Sequence, residues 1–155
     1  MIEHAFEIRL AIPDNEAYTA LATLRRLGIA CEGIARSDIH VFGFDDLTDT
    51  SGLEAQLTTI AAIFNPNKHR LRARQQPRPV AGEVWILPAD VPAVHERVSI
   101  GGVELHGVRT AWKATSWRLL DGAGKDVPQS ILDQAVETLL CNPAFQRAIH
   151  HDHYA

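Results

Sequence analysis

The sequence predicts an α+β protein whose first half runs β-α-β-β-α-β, the order of a ferredoxin-like module. Three observations carry this. Apolar residues alternate over residues 6–12, they recur at helical spacing over 16–27 and 53–64, and one helix stop is said twice, as Asn65-Pro66 and Asn142-Pro143. The residue before a proline is pushed out of the α region, and asparagine tolerates helix-ending conformations. The two stops lie 142 − 65 = 77 residues apart, about half of the 155-residue chain.

Each element has its own local cause. Phe6, Ile8, Leu10 and Ile12 alternate with Glu7, Arg9 and Ala11, the period of a strand with one buried face. Pro13 breaks that strand, and Asp14 or Asn15 can cap a helix. Ala17, Leu21, Leu24 and Leu27 then form an apolar stripe, and Gly28 ends it as a C′ glycine. Residues 29–35 predict a second strand, Ser37-Asp38 a tight turn, and 39–44 a third strand. Ser51-Gly-Leu-Glu54 fits a capping box. The helix it opens, over 53–64, is expected to bury Leu53, Leu57, Ile60, Ala61 and Phe64. After Asn65-Pro66, residues 70–74 alternate as a fourth strand, completing the split βαβ order.

Gln75-Gln-Pro-Arg-Pro79 is linker-like, which divides the chain into modules 1–76 and 80–155. The second module predicts a strand over 83–87, and Pro88 and Pro92 leave room for a short helix. Residues 98–105 form a hairpin turning at Gly101-Gly102. A long strand follows over 108–120, then a turn over 121–126 and a helix from Pro128 to Cys141. Residues 144–149 extend that helix by a turn or two. The strand starts at Glu7 and Glu83 and the two Asn-Pro stops echo at about half the chain length, the mark of an internally duplicated module with a remodelled middle. An unrelated α+β extension is the competing expectation.

Composition narrows the function classes. The chain is 46% hydrophobic and 22% charged with a formal charge of −4, values of a globular domain that give no cause to expect nucleic acid as partner. No run approaches a membrane span, and the N-terminus lacks a signal-peptide pattern, so a cytoplasmic location is expected. Cys31 and Cys141 are too few and too far apart for a disulfide framework or a CxxC site.

Lys68, Arg70, Arg72 and Arg74 are spaced by two, which in a strand aims all four at one face. That row is the candidate for binding an anion or an acidic partner surface. A solvated edge strand protected by long cations explains the same pattern. His150-His-Asp-His153 has metal-ligand residue types without a set spacing, and no metal or cofactor is expected. Asp45, Asp46 and Asp49 form an acidic loop, and Trp85, Trp112 and Trp117 read as packing anchors. No nucleophile elbow, P-loop or dinucleotide fingerprint is present, so no catalytic residue is assigned.

Thr138-Leu-Leu-Cys-Asn-Pro143 at the end of a C-terminal helix resembles the helix end of the PurS family, the small subunit of formylglycinamide ribonucleotide amidotransferase. Ala62-Ile-Phe-Asn-Pro66 is a looser match to the same place. The resemblance implies a non-catalytic protein that dimerises through its sheets and bridges glutaminase and synthetase subunits in purine synthesis. A tandem pair in one chain would stand in for a PurS dimer. The region 88–107 departs from the pattern where a full helix is expected. The sequence thus points to a binding or scaffold protein that forms a homo-oligomer. The alternatives are an ACT-like sensor of an anionic metabolite near Lys68–Arg74, and a small ferredoxin-like-barrel enzyme using His40.

Overall fold

The computed structural model describes residues 1–46 and 48–151. It is an α+β protein with mostly antiparallel strands and few helices. The elements are β1 (Ile2–Leu10), α1 (Asn15–Arg26), β2 (Gly33–Phe44), α2 (Leu53–Leu57), β3 (His69–Ala73), β4 (Glu83–Pro88), β5 (Ser99–Ile100), β6 (Val103–Glu104), β7 (Val108–Leu120), α3 (Gln129–Ala135) and β8 (Gln146–His150). A π-helical turn, Val136–Leu140, continues α3. Residues cluster into two compact units that do not coincide with the halves 1–76 and 80–155. The first comprises Met1–Ile12, Asp38–Pro77 and Asp90–Lys113. The second comprises Pro13–Ser37, Arg78–Ala89 and the segment from Ala114 on.

In the first unit the strand order is β3-β1-β2-β7. β1 pairs antiparallel with β2, from Ile2↔Phe44 to Ile8↔Asp38, and with β3, from Phe6↔Ala73 to Leu10↔His69. One face carries Phe6, Ile8, Phe42 and Phe44, which pack on Leu53, Leu57, Ile60 and Ile63 and on Val98 and Leu105. The β5–β6 hairpin turns at Gly101 and Gly102, both at positive φ (57° and 79°), as a two-residue loop requires.

In the second unit the order is β2-β7-β4-β8. Leu24 of α1, Val84 and Ile86 of β4, Leu119 of β7 and Leu132 and Ala135 of α3 form its core. Asp14 caps α1 by accepting the Ala17 N–H (3.1 Å) and at the same time receives a two-pronged hydrogen bond from Arg36, at 3.0 and 3.1 Å. Gly28, at φ 84°, ends the helix as expected.

Four expectations are corrected. Ser37-Asp38 is not a turn: β2 runs unbroken from Gly33 to Phe44, so the first half reads β-α-β-α-β rather than β-α-β-β-α-β. Ser37 is buried and Asp38 takes its place opposite Ile8, so ladder pairing overrides the local turn preference. The helix after Ser51 starts at Leu53 with no side-chain cap. It ends at Leu57, where Thr58 and Thr59 turn their hydroxyls to the carbonyls of Ala55 and Gln56. Ile63, not Ala61, completes its buried stripe. Residues 89–98 hold no helix, and 144–149, expected as helix, lie largely in strand β8 paired to β4.

The Asn-Pro stops build the same turn twice. Asn65 O accepts the N–H groups of Lys68 (3.1 Å) and His69 (2.8 Å); Asn142 O accepts those of Phe145 (3.2 Å) and Gln146 (2.8 Å). Asn65 Oδ1 accepts from Asn67 N at 2.9 Å, and Asn142 Oδ1 from Ala144 N at 3.0 Å. The Asn65 N–H donates to His69 Nδ1, and the Asn142 N–H to Gln146 Oε1, both at 2.9 Å. Each turn is then tied to the neighbouring strand end, by Ala11 N to Lys68 O and by Ala89 N to Phe145 O. The edge pairing repeats as well: Phe6↔Ala73 to Leu10↔His69 corresponds to Val84↔His150 to Pro88↔Gln146.

Because Gln146 does in one turn what His69 does in the other, His69→Gln should leave stability unchanged. His69→Ala should cost about 1–2 kcal/mol, by leaving the Asn65 N–H without its acceptor. Urea unfolding of the two variants checks this.

Candidate functional site

The register of β1 against β3 decides what the basic row can do. Arg70 lies opposite Arg9, and Arg72 opposite Glu7, so these side chains belong to the sheet face away from Phe6 and Ile8. Arg74 follows β3 and donates its backbone N–H to Ala5 O at 2.8 Å. Lys68 belongs to the Asn-Pro turn before the strand rather than to the strand itself.

Glu7 is the residue that the sequence reading missed. Its side chain is 3% exposed, and three guanidinium groups converge on it: Arg9 Nε at 2.6 Å on Oε1, and Arg72 Nη2 and Arg74 Nη1 at 2.8 Å each on Oε2. Burial pushes this carboxyl up. Hydrogen bonds from Arg74, Arg9 and Arg72 outweigh it and hold the pKa down at about 2. The expected open row of four cations is therefore a carboxylate-centred cluster. Arg74 is buried within it, whereas Arg72 and Arg9 remain largely exposed. Arg70 turns back to the carbonyl of His69 at 3.0 Å. One carboxylate among Arg9, Arg70, Arg72 and Arg74 still leaves an excess of positive charge on this face. Only the alternation of Glu7 with apolar neighbours hinted at it, and that pattern also fits a solvated face.

A second group of titratable side chains lies on the opposite face of the same unit. His40 on β2 sits opposite Phe6, its ring stacked on Phe42 (centroids 6.4 Å apart, 10° between planes). Beside it Lys113 pairs with Asp38 at 3.5 Å. Burial, and then the Lys113 charge, lower the His40 pKa to about 4 against the pull of Asp38, so the imidazole is neutral near pH 7. Burial, with Lys68 next, also lowers His69.

The remaining candidates have structural partners. Asp45 pairs with Arg109 at 3.3 Å, Asp46 with the N-terminal amine at 3.3 Å, and Asp49 accepts the Ser51 N–H at 3.0 Å. His150 lies in β8 near Asp133, and His151 meets the Pro79 carbonyl. Asp152 and His153 of the histidine-rich tail lie outside the described residues. Among the described residues no group of three His, Cys, Asp or Glu side chains is placed to hold a metal ion. Cys31 is buried, Cys141 half-buried, and both are free thiols. No described helix is long and apolar enough to cross a membrane. No protein-family model matches the chain, and comparison with curated proteins finds no relative.

Glu7→Gln removes the carboxylate that three guanidinium groups share, at an expected cost of about 2–4 kcal/mol at pH 7. Its folded pKa lies below the unfolded value of 4.5, so the stability it confers is complete above that pH and is lost as pH falls toward about 2. Denaturant midpoints across pH should show a steeper acid limb in the parent protein than in the variant, which keeps the share of Asp14: burial pushes that carboxyl up, and Arg36 and the Ala17 N–H outweigh it and hold it down. His40 acts in a higher window. Between 6.5 and about 4 the unfolded chain takes up a proton that folded His40 refuses, so stability declines as pH drops through that range. His40→Gln should flatten the decline, leaving the smaller share of His69.

Proposed function

We propose that this chain is a non-catalytic, PurS-like binding subunit in which two diverged copies of one module occupy a single polypeptide. The observation that carries this reading is the Asn-Pro turn, repeated bond for bond 77 residues later, each time leading into an edge strand. The same length offset relates the β3 and β8 registers (150 − 73 = 77), so the echo extends beyond the turn into the sheet. Convergence on a single turn is common; convergence on turn, side-chain acceptor and strand register together is better accounted for by duplication.

On this reading the chain acts in the cytoplasm in place of a PurS pair. It holds the glutaminase and the ATP-using synthetase of a formylglycinamide ribonucleotide amidotransferase together, and it self-associates. The second turn suits such contact: Phe145 is 61% exposed there, and Leu139, in the preceding helical turn, is 39% exposed. Large apolar groups in the open are the usual anchors of protein interfaces.

Native co-purification from the source cell extract tests the reading. The expected result is stoichiometric recovery of a glutaminase and a large synthetase. Phe145→Ala should weaken that recovery about tenfold or more while leaving the unfolding midpoint within about 0.5 kcal/mol of the parent. Recovery of the chain alone, or with no dependence on Phe145, overturns the assignment of this interface.

A further inference from the structure

We propose that the cleft in the first unit bounded by His40, Phe42, His95, Arg97, Ile100 and Lys113 binds a small organic anion, a carboxylate or phosphate group carried on a planar or apolar body. This goes beyond the scaffold reading and does not depend on it. The cleft has a volume of about 410 Å³, at the small end of the range for ligand pockets (roughly 300–1,000 Å³), which suits one small metabolite.

Its walls differ in chemistry. Phe42 and Ile100 supply an apolar surface, and the four other residues supply two imidazoles and two permanent cations. Among the described lining residues there is no carboxylate. The acids that answer the cations lie outside the lining and hold them loosely. Lys113 meets Asp38 at 3.5 Å and Arg97 meets Glu104 at 4.0 Å, and both cationic side chains are more than half exposed. Such pairs contribute little to folding, so an anion entering the cleft can draw both cations to itself.

His40 supplies the second, independent observation. Its ring is packed on Phe42, yet neither ring nitrogen hydrogen-bonds another described residue. The imidazole is half-buried and lines the cleft, so its ring nitrogens are open to whatever enters it. In its neutral form it offers one N–H donor and one acceptor nitrogen. A ligand oxygen would complete the donor, and the flat face of Phe42 would sit beside the body of the ligand.

The site is also preformed. His95 N–H donates to Arg109 O, and Arg109 Nε donates back to His95 O, both at 2.8 Å. Leu105 N closes onto Val98 O at 2.9 Å, and the β5–β6 hairpin holds Ile100 against Val103. The wall opposite β2 is thus pinned at both ends before any ligand arrives, which lowers the ordering cost of binding.

The test is a titration of histidine-labelled full-length protein with phenyl phosphate, benzoate and neutral benzyl alcohol, followed through the imidazole resonances. The proposal expects saturable shifts of His40 and His95 with at least one anion, at a Kd of about 1 mM or tighter. Benzyl alcohol should bind at least about tenfold more weakly, and so should either anion to the Arg97→Gln, Lys113→Gln double variant. Both substituted side chains are more than half exposed, and an unshifted His4 resonance verifies that the variant is folded. A preference for phenyl phosphate or for benzoate supports the proposal and names the head group. No saturable shift with either anion overturns it, as does undiminished binding to the folded double variant.

Discussion

The asparagine turn sets the geometry on which the edge-strand pairing of each unit depends. The chain arrives from the helical side (through turns after α2, directly from the π-helical turn after α3) and must leave as an edge strand within four residues. Asn65 and Asn142 achieve this with one carbonyl, one side-chain oxygen and one backbone N–H, each given a partner inside the turn. With these groups satisfied, the strand that follows meets its neighbour in a fixed register. A slip of a single residue would exchange the two faces of β3, placing Arg70 and Arg72 in the apolar core and Leu71 in the charged cluster.

That register has two opposite effects on the first unit. On one face it stacks Leu71 near Ile8 and seals an apolar layer. On the other it gathers guanidinium groups around a carboxylate that has almost no water. Each charged group alone would resist burial; together they satisfy one another, so Glu7 stays ionised deep in the acid range. The charge cluster is thus a consequence of strand order and not a separate device. His40 differs in kind: it lines a cleft with Arg97 and Lys113 and, among the described lining residues, no carboxylate, which is why that cleft is assigned to an anionic ligand.

What was legible in the sequence was what local chemistry dictates. The period of two over β1, the long strand β7, the capped stripe of α1, the Gly101-Gly102 hairpin and the stop before Pro143 all depend on neighbours within a few residues. What was not legible depends on distant strands. Ser37-Asp38 has the composition of a turn and is extended because β1 lies alongside. Residues 146–150 could continue a helix and instead pair with β4. The basic row was visible as a row, but its neutralising partner sits more than sixty residues earlier, in a strand where an alternating glutamate looks ordinary. His40 stood out on its strand, while the loop that faces it could be placed only with the fold in hand.

The segments that make up the two units carry a consequence for the chain as a polymer. The first unit borrows residues 90–113 from beyond the Gln75–Pro79 stretch, and the second borrows residues 13–37 from before it. A cut at Pro77 would therefore not release two independent proteins. Each fragment would lack a stretch of its own core and carry the stretch the other needs, so the pieces should behave as complementing partners, each ordering fully in the presence of the other.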